Sequence, residues 1–296
     1  MRLVSFVEKG DEQSARVGAM VHDSRRDYVL DLCRMDQRIP AEMNAFLEAG
    51  EAALALARQA VENAAAAPGE ALRSPDAITI CAPVPRPGKI LCLGHNYSDH
   101  IGIGRTAPAE FPNIFCKTVN TVIGPGAPIV IPPVTEQVDY EAELAVVVGK
   151  RAVRVPEERA FEHVAGYTIF NDVSARDYQK RTSQWMLGKC FDTFGPMGPV
   201  LVTADEIPDP HGLELSLTLN GLELQRTSTR HMIFSIPYLI AYISAVMTLE
   251  PGDLISTGTP SKTDLAKSIP PFMKPGDEVC VQISKIGQLI NPITAG

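Results

Sequence analysis

Along residues 1–32 apolar and polar positions alternate in short runs, RLVSFVEKG, ARVGAMV and DYVLDL, which read as strands separated by polar turns. The period changes over 41–66. Ala, Glu, Leu and Met dominate AEMNAFLEAG and EAALALARQAVENAAAA, and all four are strong helix formers. Gly50 stands where a helix C-cap would, and Pro68-Gly69 closes the segment. APVPRPGKI, residues 82–90, is rich in proline and reads as a stiff extended connector. The domain boundary is placed there, between a small N-terminal unit, 1–83, and a larger one, 84–296.

The larger unit is mostly strand: KILCLG, NIFCKT, PIVIPP, ELAVVVGK, YTIFND and PVLVT are short, β-branched and bounded by turns. Asn220-Gly221 between alternating apolar residues predicts a hairpin. One helix interrupts the strands. Ser235-Ile236-Pro237 opens it, YLIAYISAVM carries its apolar face, and Pro251-Gly252 follows it. EVCVQISKIGQLINPI predicts a final hairpin. The expected fold class is α+β, a mostly antiparallel β domain with few helices behind a small N-terminal α/β domain. The pattern alone leaves the closing topology open.

Composition narrows the function classes. The chain has 296 residues, 45% of them hydrophobic and 21% charged, as in ordinary globular proteins. Its 27 Lys and Arg against 35 Asp and Glu give a net charge of −8, which offers no general attraction to nucleic acid or acidic membranes. Apolar runs are too short for a membrane span. The six cysteines are scattered without a C-x-x-C pair, and no signal peptide is visible, so a cytoplasmic protein with reduced thiols is expected.

Three segments carry candidate chemistry. In VDYEAELAVVVG, Glu141 and Glu143 would share one face of a strand entering the core, joined by Asp139 if the strand extends that far. Clustered carboxylates repel one another. Protonation, basic partners or a hard divalent cation would relieve them, and oxygen ligands suit Mg²⁺, Mn²⁺ or Ca²⁺; a solvated sheet edge is the plainer reading. Asp172 ends the apolar run YTIFND and opens a polar stretch with Arg176 and Gln179, and Lys189 sits in the apolar run WMLGKCF. Such a lysine either snorkels to solvent or pairs with a buried acid. In LGHNYSDH, His95 and His100 could supply a general base, although an Asx-rich turn fits the same residues.

Taken together, G-x-N-Y-x-D-H at 94–100, E-x-E at 141–143, N-D-V-S-x-R-D at 171–177 and Lys189 occur in one order. G-P-x-G-P at 195–199, M-I-F-S-I-P at 232–237 and P-G-D-x-I-x-T-G-T-P at 251–260 continue it. Over about residues 84–296 the chain resembles the fumarylacetoacetate hydrolase family in its small bacterial-type form. The resemblance implies a mixed β-roll, usually a homodimer. It implies that Glu141, Glu143 and Asp172 hold Mg²⁺ or Mn²⁺. Arg176, Gln179 and Thr259 would contact substrate, Lys189 would be the active-site lysine, and His100 the catalytic histidine on a lid. The implied activity is hydrolysis of a C–C bond in a 2,4-dioxo acid through an enolate stabilised by the metal. The alternatives are decarboxylation or keto–enol isomerisation of a 2-oxo acid at the same site, or a metal-binding pseudoenzyme.

Two departures bear on that choice. The lid pattern H-x-x-E reads His100-Ile101-Gly102-Ile103 here, so the carboxylate that orients the histidine is replaced by Ile103. After T-G-T-P, a short Gly-rich segment is replaced by the charged run 261–267, and Arg230 and His231 add charge that would suit a second substrate carboxylate.

Overall fold

A computed structural model describes residues 1–11, 14–22, 27–66, 69–100, 109–269 and 272–296, without the side chains of residues 65, 66, 69 and 100. In chain order the main elements are β1 (Arg2–Glu8), β2 (Arg16–His22), β3 (Asp27–Asp31) and α1 (Met43–Ala66). Next come β4 (Ile90–Gly94), β5 (Asn113–Lys117), β6 (Ala142–Val148), β7 (Val164–Asn171), α2 (Arg176–Gln179), α3 (Met186–Lys189) and β8 (Gly195–Thr203). The chain ends with β9 (Glu214–Leu219), β10 (Leu222–Ser228), α4 (Ile236–Val246), β11 (Leu254–Ser256), β12 (Glu278–Ile283) and β13 (Gly287–Ala295).

The fold is α+β and mostly antiparallel sheet, as the alternation predicted. The principal sheet runs β3-β2-β1-β8-β7-β6-β11-β4-β5 through its centre. The N-terminal strands join its edge, because β1 pairs with β8 through Arg2↔Val202 and Leu3↔Leu201. The pairing of β11 with β4, Leu254↔Ile90 to Ser256↔Cys92, is parallel, which makes the sheet mixed. A second sheet contains β10, β9, β12 and β13 in that order.

Strand β6 shows why the core sits where it does. Every residue of AELAVVV is buried. Ala142, Leu144, Val146 and Val148 face one apolar cluster, and Ala145 and Val147 face the other, as a period of two requires. The second cluster also receives Phe46, Ala53, Ala57 and Ala60 of α1, which therefore covers that face.

Local signals were obeyed. Asn220 and Gly221 adopt φ of 52° and 79°, as a tight hairpin turn demands. Ser235 caps α4, its Oγ accepting the Tyr238 N–H at 3.3 Å. Gly50, inside the span of α1, takes φ 59° and ψ −137° and ends the first of two helical pieces there, as its C-cap position predicted.

Candidate functional site

The acidic cluster is built by the register of β6 and β7. Ala142 pairs with Asn171 and Glu143 with Phe170. One further step sets Glu141 opposite Asp172, and the Asp172 N–H donates to the Glu141 carbonyl at 2.9 Å. The three carboxylates therefore share one sheet face, with oxygens of all three within 4.8 Å of one another. Glu143 and Asp172 are fully buried. The strand does not extend back to Asp139, which lies in the separate strand Val138–Asp139, paired with Ser174–Ala175.

Cations enclose this cluster. Lys189 Nζ donates to Glu141 Oε2 at 2.7 Å and to Asp172 Oδ2 at 2.6 Å, so it pairs with buried acids and does not snorkel. Lys117, at the end of β5, donates to Asp172 Oδ1 at 2.6 Å and to the Val173 carbonyl at 3.0 Å. Arg176 reaches Glu141 Oε1 at 2.6 Å, Asp139 Oδ2 at 2.9 Å and Gln179 Oε1 at 2.9 Å. Lys262 closes the set on Asp139 Oδ1 at 2.7 Å.

The carboxyls respond differently. Burial raises Glu141, but the Arg176 and Lys189 charges outweigh it and hold this carboxyl well below the usual range. Burial, then the negative charges of Asp172 and Glu141, push Glu143 well above that range. Burial works against the Lys189 ammonium, yet Asp172 and Glu141 raise it above an ordinary lysine.

Glu143 Oε2 accepts from Ser256 Oγ at 2.6 Å and from the Gly258 N–H at 2.9 Å. Glu143 Oε1 is buried without a hydrogen-bond partner. An orphaned buried carboxylate oxygen is costly, and a cation ligated by Oε1 together with oxygens of Glu141 and Asp172 would satisfy it. The donors are all oxygen, which fits Mg²⁺ or Mn²⁺ and disfavours softer metals.

A cavity of about 390 Å³ opens beside the cluster, large enough for a small metabolite. Glu141, Arg176, Gln179, Lys189 and Thr259, all expected site residues, line it, as do His95 and Trp185. Thr259 Oγ1 accepts from Gln225 Nε2 at 2.9 Å, and Gln225 Oε1 accepts the Ala142 N–H at 3.0 Å, so one buried glutamine ties the T-G-T-P turn to β6. The side chain of His100 and Ile103 lie outside the described residues.

Arg230 is placed elsewhere. Its side chain is 63% exposed, donates to Ser228 Oγ at 3.0 Å and faces Glu214 at 3.8 Å, apart from the residues that line the cavity. Lys180 lines the cavity instead. Lys117 and Gln225 were missed in the sequence. Lys117 carried a usable signal: it follows the apolar residues IFC as Lys189 follows Met186-Leu187-Gly188, and the same burial argument applied to it.

The sequence matches the family model described as fumarylacetoacetate (FAA) hydrolase C-terminal over residues 89–294. The chain belongs to this family. An oxaloacetate tautomerase of Xenopus laevis, named as mitochondrial, is 42% identical over 295 residues, covering 99% of this chain and 90% of the relative. The human mitochondrial oxaloacetate tautomerase FAHD2A is 43% identical over 267 residues, 90% of this chain and 83% of its own. Among solved structures, maleylpyruvate hydrolase from Sphingobium sp. SYK-6, in complex with manganese(II) and pyruvate, superposes with a TM-score of 0.80 at 30% identity over the whole of both chains. Fumarylacetoacetate hydrolase from Exiguobacterium antarcticum gives 0.82 at 32% identity, again over the whole of both. Family membership makes this chain one of an enzyme family. No helix among the described residues is long and apolar enough to cross a membrane.

Proposed function

We propose that this protein is a divalent-metal-dependent keto–enol tautomerase of 2-oxo dicarboxylic acids such as oxaloacetate. The observation that carries the reading is the unpartnered Oε1 of Glu143, in an all-oxygen cluster beside a cation-lined cavity. Glu141, Glu143 and Asp172 would hold Mg²⁺ or Mn²⁺. The ion would bind the oxygens of a 2-oxo acid and act as a Lewis acid.

The chain's own residues supply the remainder. Lys189, kept charged by Asp172 and Glu141, stands as a fixed cation where negative charge grows on the 2-oxo oxygen. Arg176 is anchored by Asp139, Glu141 and Gln179, and it presents guanidinium to a substrate carboxylate from a fixed direction. Lys180 adds a second cation at the cavity wall, suited to a dicarboxylate. Phe115 and Trp185 pack edge-on at 5.4 Å and make that part of the wall apolar.

The relatives named oxaloacetate tautomerase support proton transfer over bond cleavage, and so does Ile103 at the position of the lid carboxylate. Tautomerisation moves a proton and needs no activated water. Hydrolysis of a 2,4-dioxo acid is the second reading, favoured by the likeness to maleylpyruvate hydrolase. It would call on His100 to activate water. We also keep the homodimer and the cytoplasmic location as proposals; light scattering on the purified chain tests the first.

The test follows the ultraviolet absorbance of enol oxaloacetate with Mn²⁺ or Mg²⁺ present. Faster enol–keto interconversion without release of pyruvate supports the tautomerase. Release of pyruvate from an acylpyruvate, with no effect on oxaloacetate, supports the hydrolase and contradicts it.

A further inference from the structure

We propose that His95 is the catalytic residue that takes the C3 proton of the 2-oxo acid, an assignment that rests on the tautomerase reading above. His95 lines the cavity together with Glu141, Lys189 and Thr259. Its backbone stands at φ 59°, in the left-handed region that non-glycine residues seldom occupy. Such conformations persist where the surroundings impose them, and they cluster at functional sites.

The surroundings here are specific. The next residue, Asn96, is fully buried. Its Nδ2 donates to the Thr257 carbonyl at 2.8 Å and the Phe234 carbonyl at 3.2 Å, and its Oδ1 accepts the Phe234 N–H at 2.8 Å. The preceding residue, Gly94, has no room for a side chain, because a Cβ there would meet the Trp185 ring at 2.6 Å. Trp185 in turn meets the His95 ring edge-on, with centroids 5.7 Å apart and planes at 78°. The turn is thus clamped on both sides, and its imidazole is set at the cavity wall. Phe115, which also meets Trp185 edge-on, covers Lys189 Nζ at 4.8 Å.

The other described ionisable groups lining the cavity have different work. Asp139 is held by Arg176 and Lys262, and Glu141 by Arg176 and Lys189. Arg176, Lys189 and Lys180 are cations and cannot accept a proton while charged. An imidazole is the side chain that both accepts and returns a proton near neutrality.

The C3–H bond breaks and its proton goes to a ring nitrogen of His95. The bonding pair becomes the C2–C3 double bond, and the carbonyl π pair moves onto the 2-oxo oxygen. That oxygen takes a proton from water, and His95 returns its proton to water.

The experiment uses the full chain with Mn²⁺ and the variants His95→Asn and His95→Gly, both tolerant of positive φ. Three quantities are read: the enol–keto rate with oxaloacetate, deuterium exchange at C3 by NMR in D₂O, and binding of oxalate. We expect the rate and the exchange to fall about a hundredfold in both variants, with oxalate affinity kept within about threefold. Added imidazole should restore His95→Gly at least about tenfold. Variants that keep the wild-type rate overturn the assignment, and so does loss of oxalate binding together with failure of imidazole to rescue. A wild-type chain that binds oxalate yet leaves rate and exchange at background overturns the tautomerase reading itself.

Discussion

Lys117 Nζ lies 2.6 Å from Asp172 Oδ1, and neither side chain is exposed to solvent. A buried ion pair of this kind is weak evidence for stability as a whole, but removing one partner leaves a charge stranded. Asp172 would keep Lys189 on its other oxygen. We therefore expect Lys117→Met to cost about 2–3 kcal/mol in the metal-free chain, measured by urea unfolding. Saturating Mn²⁺ should recover part of that loss, because the ion also neutralises Asp172.

Arg176 bonds three residues in three directions, Asp139 through Nε, Glu141 through Nη2 and Gln179 through Nη1. A lysine keeps the charge and loses the fork. In Arg176→Lys we expect KM for oxaloacetate to rise about tenfold or more, near 1.4 kcal/mol of lost binding, with Mn²⁺ affinity changed much less. Steady-state kinetics beside calorimetric titration of Mn²⁺ separate the two effects. Equal losses in both would place Arg176 in the metal site and not at the substrate.

Glu143 is pushed above the ordinary carboxyl range by burial and by the negative charges of Asp172 and Glu141. Glutamine has the same shape and no charge. Glu143→Gln should leave the metal-free chain at least as stable as wild type and should abolish the rise in Tm on adding Mn²⁺. Thermal scans with and without the ion check both statements.

A pH effect is expected away from the site. Burial lowers the pKa of His211, against a smaller raising effect of Asp209. Its Nε2 accepts the Ile236 N–H at 3.1 Å at the start of α4, which requires an unprotonated Nε2. The unfolded chain then binds a proton more readily than the folded one. This contribution to stability is present above the ordinary histidine pKa and is lost as pH falls below it toward the lowered value. His211→Gln, which can still accept that N–H, should flatten the fall in stability as pH drops below about 6.5 in urea titrations. An unchanged slope would contradict the assignment.

Much of this architecture was legible because local signals and burial agreed. The run LAVVVG announced a strand entering the core, and Asn220-Gly221 announced its hairpin. Period two placed Glu141 and Glu143 together. Convergence with Asp172 depended on the β6–β7 register, which no local pattern encodes. Lys117 was overlooked because its acid lies 55 residues away in sequence. Gln225 carried no signal at all, since a glutamine in an alternating strand reads as a solvent-facing position, yet it is buried and ties Thr259 to β6. The charge of Arg230 was plain in the sequence, but its direction was not, and β9 takes it up through Glu214.

The claim on which the account rests is that Glu141, Glu143 and Asp172 jointly hold a divalent ion beside the cavity. Crystals grown with Mn²⁺ and oxalate, measured at the manganese absorption edge, test it most directly. The account predicts one strong anomalous peak per chain within bonding distance of all three carboxylates, with oxalate on its cavity side. A peak elsewhere, or none at saturating Mn²⁺, would contradict it.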